Sequence, residues 1–137
     1  MKAEIFDSLT TVPYFSLYFL VALGLLFLFT TVYIYITPYR EITLIRSGNT
    51  AAAISLGGSL LGFVLAISFV IVHSVSLIDL MIWGLIALSI QIIAYFTVCF
   101  IIKDINQSIE KGCIAHATFL AICSICLGIL NGVCMTP

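Results

Sequence analysis

The chain has 137 residues, 63% of them hydrophobic and 8% charged, with a mean hydropathy of +1.29. Soluble domains carry roughly 25% charged residues and about 45–50% apolar ones, so this composition excludes an ordinary soluble globule and a disordered chain alike. A net charge of −1 leaves no basic footprint for nucleic acid.

The eleven charges are Lys2, Glu4, Asp7, Arg40, Glu41, Arg46, Asp79, Lys103, Asp104, Glu110 and Lys111. They leave four charge-free windows: Ser8 to Tyr39, Ser47 to Ile78, Leu80 to Ile102 and Gly112 to Pro137. Each exceeds the ~20 apolar residues that a helix needs to cross a bilayer. The expected fold is an all-α membrane protein, one domain over residues 1–137 with four transmembrane helices. No room is left for a separate catalytic or cofactor-binding domain, and no cofactor is expected.

The first span reads as 13–37. Pro13 suits a first helical turn, where its missing N–H is no loss. Tyr14 and Tyr18 mark one end, and Tyr33, Tyr35 and Tyr39 the other, as in an aromatic belt. Glu4 and Asp7 beside Lys2, and an apolar run to Ile36 too long for an h-region, argue against a cleaved signal peptide. The second span reads as 50–72 with Asn49 as N-cap, the third as 80–102 with Asp79 as cap, and the fourth as 113–135. Every charge then marks a boundary, except that Asp79 lies close to a span.

Four spans place both termini on one side. The loop with Arg40 and Arg46 and the loop with Lys103 and Lys111 share the other. By the positive-inside rule these loops are cytoplasmic and both termini external. The halves also resemble one another at an offset of 64: Ile45, Gly48, Ala51, Ala53 and Leu56 fall on Ile109, Gly112, Ala115, Ala117 and Leu120. This predicts parallel two-helix repeats about an axis along the membrane normal. Ile105 and Ile109, and less regularly Ile42 and Ile45, suggest an amphipathic turn in each loop, closed by Gly48 and Gly112.

In the second span Ala51, Ser55, Gly58, Ser59, Gly62 and Ala66 form a small-residue stripe, with Gly58 and Gly62 in GxxxG spacing. In lipid such residues let backbones approach, so the stripe reads first as helix packing and second as a pore face. Arg46, Asn49 and Thr50 stand at a helix N-terminus, which favours an anion or lipid headgroup; the simpler role is capping. Gln91, His116 and Asn131 fall within spans, as interhelical hydrogen bonders or as a polar path for an ion or small solute. His73 and Asp79 flank a short external loop and could pair. Cys123-Ser-Ile-Cys126 lies mid-span, away from the helix N-terminus that activates redox CxxC thiols. With His116 it spans one rod and cannot close a tetrahedron, so no metal site is expected, and the five cysteines are expected as free thiols. No nucleophile–base constellation, Walker loop or carboxylate pair appears, so an enzyme is not expected.

Thr37-Pro38, Asn49-Thr-Ala-Ala52, Gly58 with Leu60-Leu-Gly62, Val75-Ser76 with Asp79, Trp83-Gly84, Ile90-Gln91, and Asn131 with Cys134-Met-Thr136 together carry a resemblance. Over its whole length the chain resembles the YjfL family of bacterial inner-membrane proteins, a domain-of-unknown-function family. The resemblance implies a four-helix inner-membrane protein built from a two-helix repeat, and genes near envelope-stress functions. It supplies no mechanism. Two departures stand out: where the second half often repeats an Asn-Thr-Ala-Ala start, this chain reads Cys113-Ile-Ala-His116, and a proline late in the second span is replaced by Leu65-Ala-Ile67.

The functional expectation is therefore an oligomerising, non-enzymatic anchor or scaffold in the inner membrane, with lipid, further copies of itself and membrane-stress proteins as partners. Two alternatives stand beside it: an oligomeric ion or small-solute channel or transporter, and an anionic-lipid-binding module.

Overall fold

The computed structural model describes residues 1–135; Thr136, the last residue of the resemblance above, lies outside them. The elements are α1 Lys2–Ile36, α2 Glu41–Arg46, α3 Thr50–His73, α4 Leu77–Ile101, α5 Ile105–Glu110 and α6 Ile114–Cys134. The described residues are all-helical apart from turns. Four helices are long and apolar enough to span a bilayer. The shortest, α6 with 21 residues, still covers ~32 Å.

Pro13 does not open the first helix. The residues before it contain no breaker, so α1 begins at Lys2 and carries Pro13 in its interior. That costs one backbone hydrogen bond. Serine and threonine hydroxyls donate to carbonyls on both sides of it, Ser8 to Glu4, Thr11 to Ser8 and Ser16 to Val12. The helix is peripheral, and only Leu25, Phe29 and Tyr33 are buried. The belt of tyrosines at its far end is also not what spacing suggests. Tyr35 is 89% exposed, whereas Tyr33 and Tyr39 are buried.

The centre of the fold is the contact between α3 and α6, the most extensive between any two elements. Gly58 lies against Ala121, and Gly62 against the Ser124 backbone and the Gln91 side chain. Gly128 lies against the Gly62 carbonyl. Side chains at these glycines would collide with backbone. In lipid, van der Waals contact between close backbones replaces the missing hydrophobic drive. The small-residue stripe is thus spent inside the protomer.

The offset of 64 is expressed element by element. Helix α2 maps onto α5, and the first residue of α3, Thr50, onto that of α6, Ile114. Gly48 and Gly112 have φ of 90° and 89°, a conformation that penalises any residue with a Cβ. Gly48 donates to Ile45 and Asn49 to Leu44; Gly112 donates to Ile109 and Cys113 to Ser108. Each short helix therefore ends in the same glycine C-cap and hands the chain into a long helix running the same way.

The two N-caps differ. Asn49 Oδ1 accepts from the Ala52 amide at 3.0 Å, and its Nδ2 donates to the Ile109 and Glu110 carbonyls at 3.2 and 3.0 Å. One side chain caps α3 and satisfies the end of α5 in the other repeat. Cys113 makes no side-chain cap bond. Replacing Asn49 with alanine is expected to cost about 1–2 kcal/mol, read as a lower Tm in detergent; an unchanged melt would show that neither bond matters. The cap of α4 is Ser76, not Asp79. The Asp79 amide donates to Ser76 Oγ at 3.1 Å, and the Asp79 carboxylate accepts from Val75 at 3.3 Å. This is a capping-box arrangement in which the carboxylate takes the amide just before the cap rather than that of Ser76 itself, and it places Asp79 inside the first turn.

Candidate functional site: a buried carboxyl among tyrosines

The phase of α2 decides the site. Residues 41 and 105 are equivalent under the repeat, and both are completely buried. In α5 that residue is Ile105, which packs with Ile109 in the core. In α2 it is Glu41. The apolar face expected from Ile42 and Ile45 is therefore wrong in phase: Ile42 is exposed, while Glu41, Leu44 and Ile45 turn inward. Reading every charge as a boundary marker fails at this one residue, because the C-cap geometry shared by the two loops fixes which side of the short helix faces the bundle.

Around Glu41 stand tyrosines from three parts of the chain. Tyr39 comes from the connection before α2, Tyr33 from the end of α1 and Tyr95 from α4. The Tyr33 and Tyr95 rings meet edge-on with centroids 5.3 Å apart. The Tyr95 hydroxyl donates to Asn106 Oδ1 at 2.8 Å, and Asn106 Nδ2 lies 3.8 Å from Cys99 Sγ. Both Glu41 carboxylate oxygens and the hydroxyls of Tyr33 and Tyr39 are buried with no hydrogen-bond partner. Four orphaned polar atoms in one cluster run against the rule that buried polar groups are paired.

Burial pushes the Glu41 carboxyl from its usual range up to about 8, with the nearby Tyr39 hydroxyl acting the other way. The cause is desolvation, which penalises the charged form. Tyr39 is held well above the usual phenol range, first by its own burial and then, among the groups that raise it, by the neighbouring carboxyl. Among the described residues no lysine, arginine or histidine pairs with Glu41.

From this cluster a row of hydroxyls enters the α3–α6 seam. Ser55 and Ser59 are buried one turn apart on α3, and Ser59 Oγ lies 3.5 Å from Ser124 Oγ of α6. The Ser124 carbonyl accepts from Gln91 Nε2 at 3.1 Å. Gln91 is thus drawn into the central seam. Asn131 is buried further along α6 with its Nδ2 unpaired, and the Nδ1 of partly buried His116 is also unpaired. Those two are fifteen residues apart, ~22 Å along the helix, so the three polar residues form no single contact.

Of the stripe, Ala51, Ser55, Gly58, Ser59, Gly62 and Ala66 are all buried in α3. Among Arg46, Asn49 and Thr50, the Asn49 amide is occupied at both ends and the other two are exposed. His73 and Asp79 line one open cavity of about 350 Å³ but form no ion pair; His73 Nδ1 lies 3.0 Å from the Phe69 carbonyl. All five cysteines are free. Among the described residues no three His, Cys, Asp or Glu side chains converge as a metal site.

Comparison with known proteins places this architecture. The family model described as Domain of Unknown Function (DUF350) matches residues 7–135. The chain belongs to the DUF350 family. It is 35% identical over 133 residues to the UPF0719 inner membrane protein YjfL of Escherichia coli strain K12, covering 97% of this chain and 98% of that one. It is 34% identical over 96 residues to the UPF0719 transmembrane protein YshE of Bacillus subtilis strain 168, covering 69% of this chain and 72% of that one. No solved structure matches. This DUF350 chain is an integral inner-membrane protein with four apolar spans.

The resemblance carried by the sequence motifs points to this same family, yet the cluster lies outside those motifs. No motif marks Glu41, Tyr33, Tyr39, Tyr95, Asn106 or Ser124 as a site. One signal is present in the sequence: at the offset that aligns Ile45 with Ile109, Glu41 falls on Ile105.

Proposed function

We propose that this protein handles a small ion in the inner membrane, with the Glu41 cluster and the polar seam behind it as the ion's site. The carrying observation is the buried carboxyl without a counter-charge. An unpaired buried charge costs several kcal/mol, and a buried ionisable group whose titration is strongly shifted marks a candidate functional site. The backbone contact between Gly62 and Gly128 closes the seam to a wide passage, which favours a proton or a single ion over a larger solute. Both termini would be periplasmic, with α2 and α5 on the cytoplasmic side, where Arg40, Arg46, Lys103 and Lys111 stand.

Purified protein in liposomes is expected to support flux of a monovalent ion that Gln91→Leu lowers, since Gln91 brings a polar side chain from α4 into the seam. Absence of flux for protons, sodium and potassium would refute this reading.

The anchor or scaffold reading, with self-association and membrane-stress partners, has less support from the geometry. Its motive was the small-residue stripe, and α6 covers that stripe within one protomer. Self-association would instead use the outward apolar face of α1, where Phe15, Phe19 and Phe27 are exposed. The lipid-headgroup reading is left with Arg46 and Thr50, because Asn49 is engaged in capping.

A further inference from the structure

We propose that the ion is a proton and that the Glu41 carboxyl, enclosed with the Tyr33 and Tyr39 hydroxyls at the loop end of the α3–α6 seam, is where it binds; this rests on the ion-handling reading above. Three observations carry it. The repeat shows that the fold accepts a purely apolar residue at this position, since Ile105 fills the equivalent place in α5. The carboxyl is therefore not required to build the loop.

The second observation is the set of groups that face it. Tyr39 from the connection acts directly on Glu41, and Glu41 in turn acts on Tyr33 of α1. Cys99 of α4 acts on Tyr39, and Tyr39 acts on Tyr95. Among the described residues, no titratable side chain of α3, α5 or α6 acts on the carboxyl. All of these neighbours are neutral in their ordinary protonation states, so only a bound cation can neutralise the carboxylate. Hard cations such as calcium and magnesium take about six or more oxygen ligands. The oxygens enclosed here without any partner are the two of the carboxylate and the hydroxyls of Tyr33 and Tyr39, fewer than such a cation takes. A proton needs only one of the carboxylate oxygens.

The third observation is the hydroxyl row. The carboxylate takes up a proton to become a neutral acid. The acid O–H faces the Tyr39 hydroxyl, which in turn neighbours Ser55, and loss of that same proton regenerates the carboxylate. Burial of the carboxyl, which holds its titration near 8, keeps the acid form populated at neutral pH.

Infrared spectroscopy of the wild-type protein in lipid discs tests the site without relying on transport. A protonated-carboxyl C=O band should be present at pH 7 and disappear as pH rises through about 8. It should be missing from Glu41→Gln and from Glu41→Ile, the residue its own second repeat uses. In liposomes, a pH-sensitive dye should report proton entry that either variant reduces to the level of empty vesicles. No neutral-pH carboxyl band in the wild type would overturn the proton site. Sodium or potassium flux that both variants retain, without that band, would overturn it while leaving the ion-handling reading standing. The band without any ion flux would uphold the site and sink that reading.

Discussion

Gly62→Leu and Gly128→Leu are each expected to cost the protomer its fold, not merely its association with other copies. A side chain at Gly128 would meet the Gly62 carbonyl, and one at Gly62 would meet the Ser124 backbone. Backbone cannot swing aside as a flexible side chain does, so the two central helices must separate. The cost should exceed ~3 kcal/mol, above the usual range for overpacking. Gly57 is the control, because nothing lies near the Cβ it would gain. Thermal melts in detergent should show Gly57→Leu close to wild type and the other two unfolded or strongly destabilised. A Gly62→Leu protein that melts like wild type would show that the α3–α6 contact is not the foundation of the fold.

Glu41→Gln is expected to stabilise the protein at alkaline pH and to flatten its stability profile. The folded carboxyl titrates near 8 against an ordinary value of 4.5. Below about 4.5 both states are protonated, and burial of the neutral acid is tolerated. Between those values the unfolded chain releases its proton while the folded protein keeps it. The unfolded state then binds fewer protons, so stability falls as pH rises and levels off above about 8. Each tenfold difference in proton affinity between the two states is worth about 1.4 kcal/mol, so the variant should gain roughly 2–4 kcal/mol over wild type at pH 8. Near pH 4 the two should be similar. Melts across this range would decide, and a wild-type Tm that stays level from pH 5 to 8 would refute the buried acid.

Much of the architecture can be read from one dimension. The gaps between charges mark four spans because a charge in hydrocarbon is too costly to scatter at random. The glycines at 48 and 112, and the isoleucines beside them, expose the repeat because a left-handed C-cap leaves little choice of residue. Sequence and structure part where a local rule meets a tertiary one. Pro13 has the look of a helix start, yet nothing before it stops a helix. Asp79 has the look of a cap, yet Ser76 holds that place and Asp79 completes the box. Tyr33 and Tyr39 have the spacing of belt residues beside Tyr35, yet they turn inward to the bundle.

Glu41 is the sharpest case. Beside Arg40 in a polar loop it is indistinguishable from a solvated charge, and only the pitch and seating of a six-residue helix bury it. The order of residues is enough to establish that the chain lies in a membrane, how many times it crosses, and that it is built twice over. Those properties follow from hydropathy and spacing, which are sums over many residues. Packing in three dimensions was needed to turn the small-residue stripe towards α6, to tie the two loops together through Asn49, and to set one carboxyl among tyrosines. Each of these depends on the rotation of one helix against another, and a modest turn of a short helix separates a surface charge from a buried acid.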